Sequence, residues 1–297
     1  MKHSREILVS ILLGMVLPML LLRTIRSDIK QTEVIYVKVL TEDGVHEMDV
    51  EEYLVGVLLR EMPGCFEFEA LRAQAVAART FTLFNKEKGA KHEEADVCVI
   101  SNCCQGYMSP KGFIDNGGAA AVLVKMYGAV KSTSSEVLYY ENSLIEATYF
   151  SSSGGRTEDA KAVWGADIPY LQSVASEESN SSSKSVFTIT EFCVALGLPV
   201  SDVSIGEPVY TNGFGIAEID INGTVFTGIQ LRRYLNLRST VIAFDVDEEK
   251  VGVITCGYGH RVGMSQYGAD AMAKRGRDYK QILKHYYSGV EIGIYTP

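Results

Sequence analysis

Glu61 is the residue whose placement best fits acid chemistry. A helical period over Val50–Glu61 puts Leu54, Val57 and Leu58 seven, four and three residues before it. The carboxyl therefore falls on the apolar stripe, not opposite it. A carboxyl there sheds water, and loss of water favours the neutral acid over the carboxylate. A neutral carboxylic acid near neutral pH is what a glycosidase uses to protonate a leaving oxygen. The plainer reading is a last-turn glutamate that faces solvent or pairs with Arg60 or Arg72. Periodicity alone leaves both open.

Other chemistry-bearing clusters are weaker. Gly257-Tyr258-Gly259-His260-Arg261-Val262-Gly263 spaces its glycines one residue too long for a dinucleotide fingerprint, and no Lys-Ser/Thr makes it a phosphate loop. Its glycines permit a tight backbone that would line a cleft with His260, Arg261, Ser265 and Gln266, although a lone histidine is more often structural. Phe150-Ser151-Ser152-Ser153-Gly154 is not G-x-S-x-G, which sets aside a serine hydrolase. Of five histidines, His3 lies in the basic N-terminal stretch, so a zinc hydrolase has few ligands. Cys98, Cys103 and Cys104, spaced C-x4-C-C, are the best metal candidates; a disulfide and buried thiols are the other readings. The six cysteines allow fifteen pairings, and spacing does not choose among them.

The elements that must position these residues are legible in part. Glu33–Leu40 predicts the first strand. Asp49 is placed as an N-cap with Glu52 as capping-box partner and Met48 and Tyr53 as hydrophobic staple. The helix so opened stops at Pro63. A second, alanine-rich helix spans about Glu69–Lys86, so a neighbour can pack close to it. Ala147–Phe150 reads as a short strand before the Ser151–Gly155 loop, and Ser173–Ser185, with seven serines, as a mobile surface loop. Asn222-Gly223 predicts a hairpin, Thr227 and Gln230 a capping box, Val251–Cys256 a strand, and Ser265 and Asp278 the starts of the last two helices. Helices and hairpins do not alternate as βαβ units, so the expected class is α+β, with mixed helices and antiparallel hairpins around one core.

Net charge is −9 over 297 residues. Lys2, Arg5, Arg23, Arg26 and Lys30 outweigh Glu6 and Asp28 in the first thirty residues, so the remainder is strongly acidic. That excludes a nucleic-acid partner, which needs a basic face. Ile7–Leu22 holds no charge over 16 residues. At helical rise it spans about 24 Å, somewhat short of a bilayer core of about 30 Å, which flanking arginines and Thr24-Ile25 extend. No small-x-small cleavage site follows it, which favours a retained anchor over a signal peptide. The expected division is a cytoplasmic n-region and membrane anchor over 1–30 and an extracytoplasmic domain over 31–297.

Three segments resemble the family of stage II sporulation protein D and the related amidase enhancers. They are Glu52–Val57 running through Glu61-Met62-Pro63 to Glu69–Thr80, then Ala147–Thr157, then Gly257–Ala269. The resemblance covers about Val34–Glu291 and implies a peptidoglycan lytic transglycosylase acting on glycan strands stripped of stem peptides, during forespore engulfment. It makes Glu61, in the E-M-P motif, the catalytic acid that protonates the oxygen between N-acetylmuramic acid and N-acetylglucosamine. The C6 hydroxyl then closes onto C1 as a 1,6-anhydro ring. Gln105 and Tyr107 fall in the family's C-Q-x-Y segment and, with Arg72, Ser151, Ser153, His260, Arg261, Ser265 and Gln266, are implied to contact substrate. No cofactor is required. Some members bind zinc partly through a histidine where this chain has Cys103, leaving Cys98 and Cys103 as the implied ligands. Implied partners are glycan strands, stage II sporulation proteins P and M, and the membrane. The implied location is single-pass in the cell membrane, with the domain between mother cell and forespore. A non-catalytic, glycan-binding amidase enhancer is the alternative.

Overall fold

A computed structural model describes residues 34–89, 91–178 and 182–297. The proposed anchor lies outside them; among the described residues no helix is long and apolar enough to cross a membrane. Strands β1 (Tyr36–Thr41) and β2 (Gly44–Asp49) form a hairpin that runs directly into helix α1 (Val50–Glu61). Asp49 caps α1 by accepting the Glu51 N–H at 2.8 Å. The expected capping box is not made: Glu52 instead accepts the Tyr127 hydroxyl at 3.0 Å. Tyr53, Leu54, Val57 and Leu58 are fully buried, each Leu contributing about 1.5–3 kcal/mol. Helix α2 (Phe68–Lys88) buries Ala70, Ala73, Ala75, Ala77 and Ala78 with no residual exposure, which lets other helices approach its backbone.

Strand β3 (Val97–Cys98) pairs with β1 in parallel, giving the order β2-β1-β3. Helices α3 (Pro110–Asp115) and α4 (Ala120–Lys131) follow, then β4 (Glu136–Tyr140), β5 (Ser143–Leu144), β6 (Tyr149–Phe150) and α5 (Ala160–Trp164). The next stretch comprises β7 (Ser182–Thr188), α6 (Ile189–Leu196), β8 (Val209–Tyr210), β9 (Ile216–Ile221), β10 (Thr224–Phe226), α7 (Gly228–Tyr234), β11 (Val241–Val246) and β12 (Lys250–Cys256). Its two antiparallel sheets, β10-β9-β8 and β11-β12-β7, enclose a hydrophobic cluster of their own that includes Phe192, Ile219, Leu231 and Val253. This segment is thus a smaller lobe with its own core, where one core was expected. The chain returns through β13 (Met264–Ser265), α8 (Gln266–Lys274), α9 (Tyr279–Tyr286) and β14 (Glu291–Ile294), which pairs with β4. Helices α1, α4, α8 and α9 all pack on α2.

The α+β class holds, with small, mostly antiparallel sheets. The Asn222-Gly223 hairpin and both the Thr227–Gln230 and Asp278–Gln281 capping boxes form. The serine-rich stretch departs from expectation. Ser173 bonds Asp159, Ser176 is buried, and Ser182–Ser185 pair with β12.

Candidate active site

Glu61 ends α1 and is half-buried. Its Oε1 accepts the Gly106 backbone N–H at 2.6 Å, and Nε2 of Gln266 lies 3.4 Å from Oε2. Gly106 is held in place by its neighbour Gln105, which is fully buried. Gln105 Oε1 accepts the hydroxyls of Thr82 (2.8 Å) and Tyr53 (3.3 Å), and Nε2 donates to the Ala78 carbonyl. Tyr107 stacks on Tyr53 with ring centres 5.6 Å apart, over Gly56, where a Cβ would overlap the Tyr107 ring. The Tyr149 phenol also belongs here. Burial first, and the Glu61 carboxylate second, hold it well above its ordinary pKa, and its hydroxyl finds no hydrogen-bond partner among the described residues.

The facing wall is made of loops. β6 and β13 pair in parallel, Tyr149 opposite Met264 and Phe150 opposite Ser265. Gly263, at φ +82°, presses on the Thr148 carbonyl where a side chain has no room. Arg261 is fully buried, with φ +68°. Its guanidinium donates to the carbonyls of Ser153 (2.7 Å), Arg156 (2.9 Å) and Gly213 and to the Thr240 hydroxyl, and it lies 3.5 Å from buried Glu158. Burial lowers it to about 10, so it stays cationic at neutral pH. The Val262 N–H donates to His260 Nδ1 at 3.1 Å, so Nε2 carries the proton and donates to the Tyr149 carbonyl at 3.1 Å. Burial, then the nearby Arg232, lowers the His260 pKa to about 4. Ser265 caps α8 by accepting the Gly268 N–H at 3.1 Å and leaves Gln266 at the first helical position, aimed at Glu61.

Known proteins are similar to this chain over most of its length. The profile of the Stage II sporulation protein family matches residues 41–140. Stage II sporulation protein D of Bacillus amyloliquefaciens is 38% identical over 259 residues, covering 84% of this chain and 75% of that protein. The protein of the same name from Bacillus subtilis (strain 168) is 38% identical, covering 84% and 76%. The chain belongs to the stage II sporulation protein D family. The amidase enhancer of Bacillus subtilis (strain 168) is more distant, 27% identical over 82% of this chain and 40% of its own length.

Within this family member, the residues singled out from sequence divide by what their side chains do. Glu61 and Gln266 meet, and Tyr107 and half-buried Ser151 flank the same region. Ser151 lends its carbonyl to the Tyr267 N–H at 3.0 Å. The others are committed to the protein itself. Arg72 pairs with Glu69 at 3.0 Å and lies over the Tyr279 ring at 3.9 Å. Gln105 spends its amide on Thr82, Tyr53 and Ala78. Ser153 accepts the Gly155 N–H at 3.0 Å and is buried. Both His260 nitrogens hold backbone, the Arg261 guanidinium holds three backbone carbonyls, the Thr240 hydroxyl and Glu158, and Ser265 is a helix cap. The polar groups of these six are engaged within the protein, apart from Arg72 Nε, which is buried without a hydrogen-bond partner among the described residues.

The cysteines also resolve. All six stand as unpaired thiols. His92, Cys98, Cys103 and Cys104 each offer one donor atom, all within 4.8 Å of one another. The implied pair Cys98 and Cys103 is thus half of a set of three thiols and one imidazole, a donor combination that fits zinc. Burial is the main cause that pushes the Cys104 thiol up to about 12. His92 could have been found from H-x5-C-x4-C-C spacing. Gly106 could not, because the working group is a backbone N–H.

Proposed function

We propose that this chain is a membrane-anchored lytic transglycosylase that cuts the bond between N-acetylmuramic acid and N-acetylglucosamine in peptide-stripped peptidoglycan, leaving 1,6-anhydro ends, during forespore engulfment. The observation that carries the reading is the Glu61 carboxyl at the end of α1, fixed by the Gly106 N–H on one oxygen and approached by Gln266 on the other. Oε1 is spent on position, so Oε2 is the oxygen that exchanges the proton. It protonates the glycosidic oxygen as the bond opens, then takes the proton of the C6 hydroxyl as that oxygen closes on C1. Ring closure within the sugar needs no second carboxylate, whereas hydrolysis does. The neighbouring carboxylates support this division. Glu158 is taken up by Arg261, the Thr211 hydroxyl at 2.6 Å and the Gly213 N–H at 3.1 Å, and Glu178 by four donors.

The four-residue cluster would hold zinc in a structural role. Bound there, it would hold Cys103 and Cys104, which immediately precede the Gln105-Gly106 step behind Glu61. Metal analysis of the full chain should find about one zinc, lost in Cys98→Ser; a stable, zinc-free wild type overturns this part. Partners in this reading are the glycan, an amidase such as stage II sporulation protein P that strips it, stage II sporulation protein M, and the membrane.

The decisive test incubates stripped glycan with the full chain in detergent. Wild type should release anhydro-muramic ends, and Glu61→Gln should lower kcat roughly 100- to 10,000-fold with the fold intact. The likeness to an amidase enhancer favours one second reading, a glycan-binding stimulator of an amidase. It predicts binding and amidase stimulation that Glu61→Gln leaves unchanged, and no anhydro ends.

A further inference from the structure

Glu178 lies in the serine-rich stretch and is not part of any motif, yet its carboxylate joins three segments. Oε1 accepts the backbone N–H of Ser153 and, at 3.2 Å, that of Gly154. Oε2 accepts the hydroxyls of Ser176, at 3.0 Å, and Ser265. The Ser176 hydroxyl pairs in turn with the Tyr286 hydroxyl on α9 at 2.7 Å. All four donors are neutral and converge on two oxygens, so a carboxylate takes them as they stand; a glutamine would turn an NH2 group toward the Ser176 and Ser265 hydroxyls and force both to rotate and accept. Hydrogen bonds to an ionised acceptor are about twice as strong as neutral ones, and the carboxylate sits at the N-terminus of α8, where the helix dipole favours negative charge.

The consequence reaches Glu61 through one residue. Ser265 immediately precedes Gln266, whose amide stands 3.4 Å from the Glu61 carboxylate. The Tyr267 N–H to the Ser151 carbonyl, 3.0 Å, closes the other side of the same turn. At 3.4 Å the Gln266 contact is near the limit of a hydrogen bond, so a small shift of the first turn of α8 breaks it. We propose that Glu178 is a positioning residue: it clamps Ser153, Gly154 and Ser265 together so that Gln266 is held against Glu61. The kinetic consequence rests on the reading of Glu61 as the acid; the clamp itself does not.

The experiment compares full-length wild type, Glu178→Gln, Gln266→Ala and the double variant on stripped glycan, with Glu178→Asp as the conservative control. Misplacement of about 1 Å costs up to roughly 100-fold. Glu178→Gln should lower kcat about 10- to 100-fold with KM within about twofold, Glu178→Asp should recover part of it, and the double variant should be no slower than Gln266→Ala alone. Losses that multiply in the double variant, or an unchanged kcat, overturn the proposal. Ser176→Ala removes the outermost donor, keeps the charge, and gives the same non-additive pattern at smaller size if Glu178→Gln does not fold. The Gln266 side-chain amide signals in NMR separate the two readings. They should move in Glu178→Gln or Ser176→Ala in the direction they move in Glu61→Gln. Unmoved signals overturn the clamp whatever the activity, whereas moved signals in a chain that releases no anhydro ends support the clamp and overturn only the transglycosylase.

Discussion

The two walls that meet at Glu61 are built on opposite principles. The α1 wall is helical: its backbone satisfies itself, and side chains fall where a 3.6-residue period puts them. The β6–β13 wall has two paired residues and then loops, so its backbone is satisfied by buried and half-buried side chains, several brought from far along the chain. Arg261 serves four acceptors, Glu178 four donors, and His260 one of each. Helical walls are specified locally and present side chains outward. Loop walls are specified by long-range polar contacts and consume theirs.

The sharpest way to break this contrast is Arg261→Ala. It leaves Glu158 buried without its cation and several carbonyls without a donor, at a cost of about 3–5 kcal/mol. Hydrogen exchange should speed up at Ser151–Gly155 and Thr211–Gly215 while α1 and α2 stay protected; uniform loosening of both walls would show that they are not independent. His260 gives a smaller, pH-dependent effect. Its folded pKa of about 4 lies below the ordinary 6.5, so the unfolded chain binds more protons between them. The stabilisation is complete above about pH 6.5 and disappears as pH falls through about 4, worth about 1–3 kcal/mol for a half-buried ring. Urea midpoints for wild type and His260→Gln should therefore converge on acidification; a constant gap would mean that the imidazole is not held neutral. Gly56→Ala probes the helical wall. The new methyl displaces the Tyr107 ring, costing about 1–3 kcal/mol, and should lower activity without disturbing the Arg261 contacts. A variant of wild-type stability would mean that the Tyr53–Tyr107 stack moves aside freely.

How far the sequence is legible follows the same division. Val50–Glu61 reads to the residue because apolar spacing and the closing proline both act locally. Ser265 and Asp278 read as helix starts for the same reason. Glu52 misled because the cap it could make lost to Tyr127, which is distant in sequence. Arg261 and His260, in a glycine-rich turn, read as cleft residues because sequence cannot show which backbone groups need partners. Glu178 gave no signal at all, since its importance is the sum of four donors on separate segments.

The two-residue β6–β13 pairing also sets an order of events. The contact between Ser265 and Ser151 closes 114 residues of chain, and Gln266 meets a glutamate 205 residues before it. Closing such loops is slow compared with forming a helix. Helix α1 and its acid can be in place while most of the chain has still to emerge. The carboxamide that completes the pair arrives only when the last stretch of the chain is reached. A chain cut short before Gln266 thus carries the Glu61 carboxyl but not the carboxamide that approaches it, so the two halves of the pair are separated in synthesis by most of the chain.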